Sequence, residues 1–252
     1  MNPREYEALF AVEDRHWWFD GVRREIAAQL ARELAGFSRW LDAGSGTGGL
    51  MANLRVPESP AAFGVENSPD GLAFSRSRGL RRLARASVAE LPFPDGTFDL
   101  VTSIDVLCHR GVEEPRALAE AHRCLRRGGL LLLQVPAFDF LRGEHDEAVW
   151  TNRRYRKTEV EGLLSAAGFR LRRSFYRNSI LFPAVALRRL LRRRKPAGRE
   201  ALSDVAPAPR ALDRLFAGLL GFERRLRGIG LSFPFGLSVF CVAQKGETPV
   251  PR

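Results

Sequence analysis

Five short apolar runs punctuate residues 39–136, and the stretches between them carry the marks of helices. The runs are "RWLDAG", "AAFGVE", the weaker "LRRLARAS", "FDLVTSI" and "LLLLQVP". Strand alternating with helix leaves a parallel α/β sheet as the architecture that buries both. The fifth run is apolar on both faces, as a strand covered from both sides must be. Between the runs, "SPDGLAFSRSRG" offers Ser68 as a helix N-cap with Pro69 at the first helical position. "EEPRALAEAHRCLRRGG" has proline near its start and glycine after its end, which predicts a helix reaching to the glycines. Further on, "KTEVEGLLSAAGF" places Thr158 and Glu161 at capping-box spacing, with Gly168 as the stop. "FRLRRSFYR" reads as a sixth strand and "GLSVFCVAQK" as a seventh. The first 36 residues read as helical, with Ile26, Leu30 and Leu34 at helical spacing.

The first run leads straight into "LDAGSGTGGL". Glycines there let backbone approach a ligand closely, and a helix N-terminus just beyond supplies N–H donors. No Gly-Lys-Ser/Thr follows, so this is not a Walker loop. Asp42 sits just before the first glycine, where a fixed negative charge is awkward beside a pyrophosphate and suits a cationic ligand. Twenty residues beyond Gly46, the second run ends in Glu66, placed to accept from both hydroxyls of a ribose. An acid-tolerant glycine loop plus a ribose-binding acid points to S-adenosylmethionine (SAM).

These blocks, with "GVENSPDGL", "LPFPDGTFDLVTSIDVLCH" and "EAHRCLRRGGLLLLQVP", resemble the class I SAM-dependent methyltransferases over about Trp40 to Pro136. The resemblance implies a Rossmann-like seven-stranded, mostly parallel sheet with an antiparallel last strand, flanked by helices. It implies a SAM contact set of Asp42, Gly44, Ser45, Gly46, Thr47, Glu66, Asn67, Ser87, Val88, Ser103 and Ile104, with Ser103 to Asp105 flanking the methionine end. The expected product is S-adenosylhomocysteine. The family usually carries an Asp where Ser87 stands; a serine hydroxyl or the Val88 backbone can take that place.

Methyl transfer from a sulfonium is an in-line displacement, so positioning matters more than any one base. Three segments are candidates for acting on the acceptor. Trp17 and Trp18 of "HWWF" are expected in a lid over cofactor or acceptor, with core packing as the alternative. His109 stands at the end of the fourth strand, where open α/β sheets bind ligands; packing competes with catalysis there. In "FDFLRGEHDEAVWTNRRYRKTE", His145 and Asp146 are expected as a base and its orienter, and Arg153, Arg154 and Tyr155 as a grip on an anionic group. Together with "ILFPAVALRRL" and "PFGLSVFCVAQK", these resemble a bacterial methyltransferase subgroup tied to glycan or polyprenyl-lipid metabolism. That subgroup tends to have a His where Thr151 or Asn152 stands.

The net charge of +11 is unevenly spread: from Leu181 onward there are 14 Lys/Arg against 5 Asp/Glu, a net of +9. About 60 residues separate the sixth and seventh strands, far more than a hairpin needs. They hold the cluster Arg188, Arg189, Arg192, Arg193, Arg194 and Lys195, a Pro/Ala linker, and a helix with Leu212, Leu215, Phe216, Leu219 and Leu220 on one face. Basic amphipathic helices suit anionic membrane surfaces; solvated arginine over apolar packing is the alternative. The arginine cluster has little aromatic interleaving, which argues against nucleic acid.

Three cysteines without metal spacing predict a reducing compartment and no metal site. No signal peptide or membrane-spanning run is expected, which places the protein in the cytoplasm or at the inner face of the membrane. The expected organisation is a helical cap over 1–36, a SAM-binding core over 37–178 and 232–246, and a basic helical insertion over 179–231. The activity expected is methyl transfer to a small-molecule or lipid-linked, anionic acceptor, with oxygen favoured. An inactive methyltransferase-like docking module is the alternative.

Overall fold

A computed structural model describes residues 2–33, 36–56, 60–192 and 209–246. Seven strands form one sheet: β1 (Arg39–Ala43), β2 (Ala61–Glu66), β3 (Leu83–Arg85), β4 (Phe98–Ile104), β5 (Leu125–Pro136), β6 (Phe169–Arg177) and β7 (Ser238–Lys245), in spatial order β3-β2-β1-β4-β5-β7-β6. The pairs among β1 to β5 are parallel, and β7 runs antiparallel to β5 and β6. The carboxyl ends of β1, β2, β3 and β4 therefore share one edge, and their loops can build one site.

The helices are α1 (Pro3–Val12), α2 (Trp17–Glu33), α3 (Gly49–Asn53), α4 (Pro69–Ser77), α5 (Glu114–Cys124), α6 (Glu144–Ala148), α7 (Lys157–Ala166), α8 (Phe182–Arg192) and α9 (Arg210–Gly228). Leu131, Leu133 and Val135 of β5 face one core with α5 and α7, while Leu130 and Leu132 face the other with α2. This is the two-sided burial that the leucine run requires.

Local expectations and structure part at three places. The N-terminal helix breaks after Val12, and His16 caps α2, its Nδ1 accepting from Trp18 N–H at 3.3 Å. Burial lowers the His16 pKa, which keeps that nitrogen an acceptor. α5 stops at Cys124 because "LRRGG" joins β5, Leu125 pairing with Phe98 across a register shift. α7 begins at Lys157, where Glu159 accepts from the Arg156 N–H at 2.6 Å; Thr158 lies inside the first turn instead of capping it. Ser68 does cap α4.

α9 packs lengthwise on α2. The expected Leu34 contact, the Arg192 side chain, Arg193 to Lys195 and the Pro/Ala linker lie outside what is described. No helix among the described residues is long and apolar enough to cross a membrane.

Candidate functional site

β1 delivers Asp42 to the shared edge at 3% exposure. Its Oδ1 accepts from Thr102 Oγ1 at 2.6 Å, and that oxygen accepts from Trp40 Nε1 at 2.8 Å. Burial pushes the Asp42 carboxyl up to about 7; the Thr102 bond opposes this, and the charges of Glu13 and Glu66 add to it. A buried acid so costly to ionise is stabilised by an incoming cation. The next residue but one must be glycine. Gly44 has φ +88°, and a Cβ there would lie 2.4 Å from Val106 Cγ2. The N–H groups of Gly44 and Ser45 donate to the Val65 carbonyl at 2.8 and 2.9 Å, pinning the loop to β2. Ser45 Oγ is buried with no partner among the described residues.

Glu66 faces this loop from the end of β2. Its Oε2 accepts from Gly46 N–H at 2.9 Å, and its Oε1 from Ser68 N–H at 2.8 Å and Tyr6 OH at 3.3 Å. Two carboxylate oxygens offer about four lone-pair sites, so capacity remains, more if Tyr6 yields its place. A buried acid awaiting a cation, an unpartnered hydroxyl and an acid placed for a diol fit the groups that SAM presents. Asn67 follows with an exposed side chain, its carbonyl accepting from Arg85 Nε at 3.2 Å. Ser87 is exposed, and its hydroxyl accepts from Ala89 N–H at 3.2 Å, within its own turn, while Val88 rests on the core. Ser103 is buried and Ile104 half-buried at the end of β4.

The lid differs from the expectation. α1, not "HWWF", lies over the glycine loop. Besides the Tyr6–Glu66 bond, Phe10 packs on Phe74 at 4.7 Å between ring centres. Glu13 accepts from Thr47 Oγ1 and pairs with Arg78 at 2.7 Å. Its carboxylate lies directly over Gly49, so a side chain there would push it aside. Burial with the neighbouring Glu66 charge pushes the Tyr6 phenol up to about 12, keeping it a donor. Trp17 instead packs on Phe216 of α9 at 5.1 Å, its backbone N–H donating to Asp213 at 3.4 Å, and Trp18 leans on the core. Two large rings facing an amphipathic helix bury more apolar area there than over a polar loop.

On the acceptor side, the loop after β4 is stitched to residues 149–155. His109 bridges to Thr151, and Asn152 N–H donates to the Cys108 carbonyl at 2.7 Å. Burial lowers the His109 pKa to about 4. His109 Nδ1 is buried with no partner among the described residues. Asp146, at 1% exposure, accepts from Arg154 Nε at 2.9 Å and from Gly143 N–H at 2.8 Å. Its carboxylate thus orders the loop around Arg154. Arg153 pairs with Glu114 and Glu159, each at 3.1 Å. Tyr155 is a core side chain at 1% exposure, its hydroxyl donating to Glu114 at 2.6 Å. Arg154 and Tyr155 also border a cavity of about 230 Å³ with Phe138, Phe140 and Arg156.

Asp105 carries more than its sequence position announces. It holds φ +56° at the end of β4, a conformation non-glycine residues seldom adopt. Its Oδ2 accepts from Gln134 Nε2 at 2.9 Å, and its buried Oδ1 has no partner among the described residues. Burial pushes its carboxyl up to about 6. Behind it, Gln134 accepts from Arg177, Arg177 faces Glu25 at 3.9 Å, and Glu25 pairs with Arg227 of α9. No local spacing relates Asp105, Gln134, Arg177 and Glu25, so sequence reasoning had no signal for this buried chain.

Residues 41–133 match the family model described as a methyltransferase domain. The malonyl-[acyl-carrier protein] O-methyltransferase of Geobacter sulfurreducens is 31% identical over 66% of this chain and 66% of its own. The demethylmenaquinone methyltransferase of Thermus thermophilus is 39% identical over 45% of this chain and 54% of its own. The chain thus spans about half to two thirds of the length of these curated relatives. Among solved structures, geranyl diphosphate C-methyltransferase of Streptomyces coelicolor, in complex with S-adenosylhomocysteine, covers 88% of this chain and 76% of its own at a TM-score of 0.58 and 15% identity. The [4+2]-cyclase SpnF covers 91% and 82% at 0.58 and 21%. At those identities the likeness is one of fold.

Proposed function

From a chain that belongs to the class I SAM-dependent methyltransferases, with its methyltransferase domain matched over residues 41–133, we propose methyl transfer from SAM to a small-molecule or lipid-linked, anionic acceptor, with oxygen as the accepting atom. The observation that carries this reading is the buried Asp42 carboxyl, pushed up to about 7, set beside the glycine loop with Glu66 facing it. Asp42 supplies the field for a cationic centre, Glu66 accepts hydroxyl protons, and the unpartnered Ser45 hydroxyl completes the cradle. SAM, when bound, supplies an electrophilic methyl group on sulfur.

The remaining roles fall to the opposite wall. Asp105 offers an unpartnered carboxylate oxygen at the edge where the acceptor would enter, and Gln134 fixes its orientation. His145, in the segment after β5, takes the proton of an acceptor that has one to lose. Arg154 and Arg156 border the small cavity together with Asp139 and Glu159, and an anionic acceptor there would pair with their guanidinium groups. Calorimetric titration of wild type and His145→Ala with SAM and S-adenosylhomocysteine tests both halves. Both proteins are expected to bind both ligands alike, while turnover of the variant falls at least about tenfold. Absence of binding in wild type defeats the cofactor reading; wild-type turnover in the variant removes His145 from the mechanism.

The insertion adds a proposed membrane contact. α9 buries Leu220 against the body, yet Leu212, Leu215 and Phe222 are exposed. α8 exposes Leu187, Leu190 and Leu191, the last at 68%, beside the arginines of the same helix. Apolar side chains interleaved with cationic ones suit an anionic lipid surface. Co-sedimentation with anionic vesicles, and its absence with zwitterionic ones, is the expected result; equal binding to neither or both counts against this contact.

A further inference from the structure

A cleft of about 410 Å³ opens between the C-terminal halves of α2 and α9 and the middle of β6. It is lined from face to face by guanidinium groups: Arg32 from α2, Arg173 from β6, and Arg224, Arg225 and Arg227 from α9. Two of the five are committed. Arg173 pairs with Glu33 at 2.9 Å, and Arg227 bridges Glu25 and Glu223. Arg32, Arg224 and Arg225 have no carboxylate partner among the described residues, and Glu25, the one acid in the lining, is already held by Arg227 and Arg177. The floor holds a further group in need of a partner: Gln29 Oε1 is buried and unpartnered, while its Nε2 donates to Glu25 at 2.8 Å. Phe175 and Leu231 give the cleft an apolar side.

Three unpaired arginines converging from two helices on one concavity repel one another unless an anion joins them. A guanidinium fork matches the oxygens of a phosphate, and several forks around one concavity discriminate a multiply charged group from chloride. Gln29 Oε1 can accept from a protonated phosphate oxygen or a neighbouring hydroxyl. We infer that this cleft binds a phosphate or diphosphate group. It lies beside α2, β6 and α9, so it is distinct from the glycine loop at the ends of β1 and β2. The inference does not depend on the methyltransferase reading.

The test uses the full chain and inorganic pyrophosphate. Three proteins are titrated by calorimetry at low salt: wild type, Arg32→Gln/Arg225→Gln, and Arg76→Gln/Arg81→Gln as a charge-matched control remote from the cleft. Saturable binding is expected in wild type and control, at least tenfold weaker in the cleft variant, and weakened by salt in all three. Indistinguishable titrations in the three proteins, or no saturable binding in wild type, overturn the inference. Arg32 and Arg225 are exposed, so unchanged circular dichroism and SAM titration in the cleft variant separate loss of this site from loss of fold or of the cofactor site. Phosphatidate vesicles distinguish the source: loss of vesicle binding in the cleft variant assigns a lipid headgroup, whereas loss with pyrophosphate alone assigns a soluble phosphate.

Discussion

Glu66→Ala is expected to weaken SAM binding by about 10² to 10⁴-fold, because the carboxylate would lose two charge-assisted hydrogen bonds to a diol, about 1.5–3 kcal/mol each. The same carboxylate accepts from Gly46 and Ser68 N–H groups, so alanine also loosens the glycine loop at its hinge with β2. Glu66→Gln loses the charge but keeps one of the two acceptor oxygens, so the loop loses one anchor instead of both. Asp42 adds a pH signature. Its folded pKa is raised to about 7, so the ionised form that attracts a cation is depleted as the pH falls. Affinity for SAM should therefore fall about tenfold for each pH unit below about 7, a slope that Asp42→Asn removes. The sign for stability runs the opposite way. The folded protein holds the Asp42 proton more tightly than the unfolded chain, so that contribution is full below the unfolded pKa and is lost as pH rises through about 7. Calorimetry across pH 5.5 to 8 checks the slope. Unchanged SAM affinity in both Glu66→Ala and Asp42→Ala would show that the cofactor lies elsewhere.

The second large effect concerns stability. Glu25 is 2% exposed, with Arg177 at 3.9 Å on one side and Arg227 in contact on the other. Burial lowers the Arg177 pKa, and Glu25 is the principal charge opposing that shift. Glu25→Leu removes the principal carboxylate facing that guanidinium, leaving the weaker charges of Glu223 and Asp105, and strips Arg227 of one of its two partners. Breaking a buried pair in this way costs about 3–5 kcal/mol. At about 2–4 °C per kcal/mol for a chain of this size, the melting temperature should fall by about 6–20 °C. Glu25→Gln, which keeps hydrogen-bonding capacity, should fall less. A shift within a degree or two for Glu25→Leu would mean that water reaches these arginines.

What could be read in the sequence was what is local. The leucine run of β5, the glycine loop off β1 and the Ser68 cap each declare themselves within a few residues, and the sheet follows from their alternation. The departures arise where distant partners override local preference. "LRRGG" has a helical pattern, yet pairing of Leu125 with Phe98 draws it into β5. Tyr6 meets Glu66 across 60 residues, and Trp17 meets Asp213 across 196. No spacing within either segment encodes those meetings, so the aromatic cluster looked like the lid while the true cover was a less conspicuous helix. Asp146 and Tyr155 show the same limit. Their residue types suit catalysis or binding, and only packing reveals that one anchors Arg154 and the other fills the core.

The placement of α1 has a kinetic meaning. Tyr6 covers one oxygen of Glu66, and Glu13 roofs Thr47 and Gly49, so a molecule seated along the glycine loop is enclosed by a helix joined to the rest through a short link between Val12 and Trp17. Lifting that helix would break the Glu13–Arg78 pair and bare the Phe10–Phe74 contact to water. Where exchange of spent for fresh cofactor runs through that movement, its pace is set by the opening of this cover, whose link to α2 is itself held by Arg23 on the Glu13 and Asp14 carbonyls.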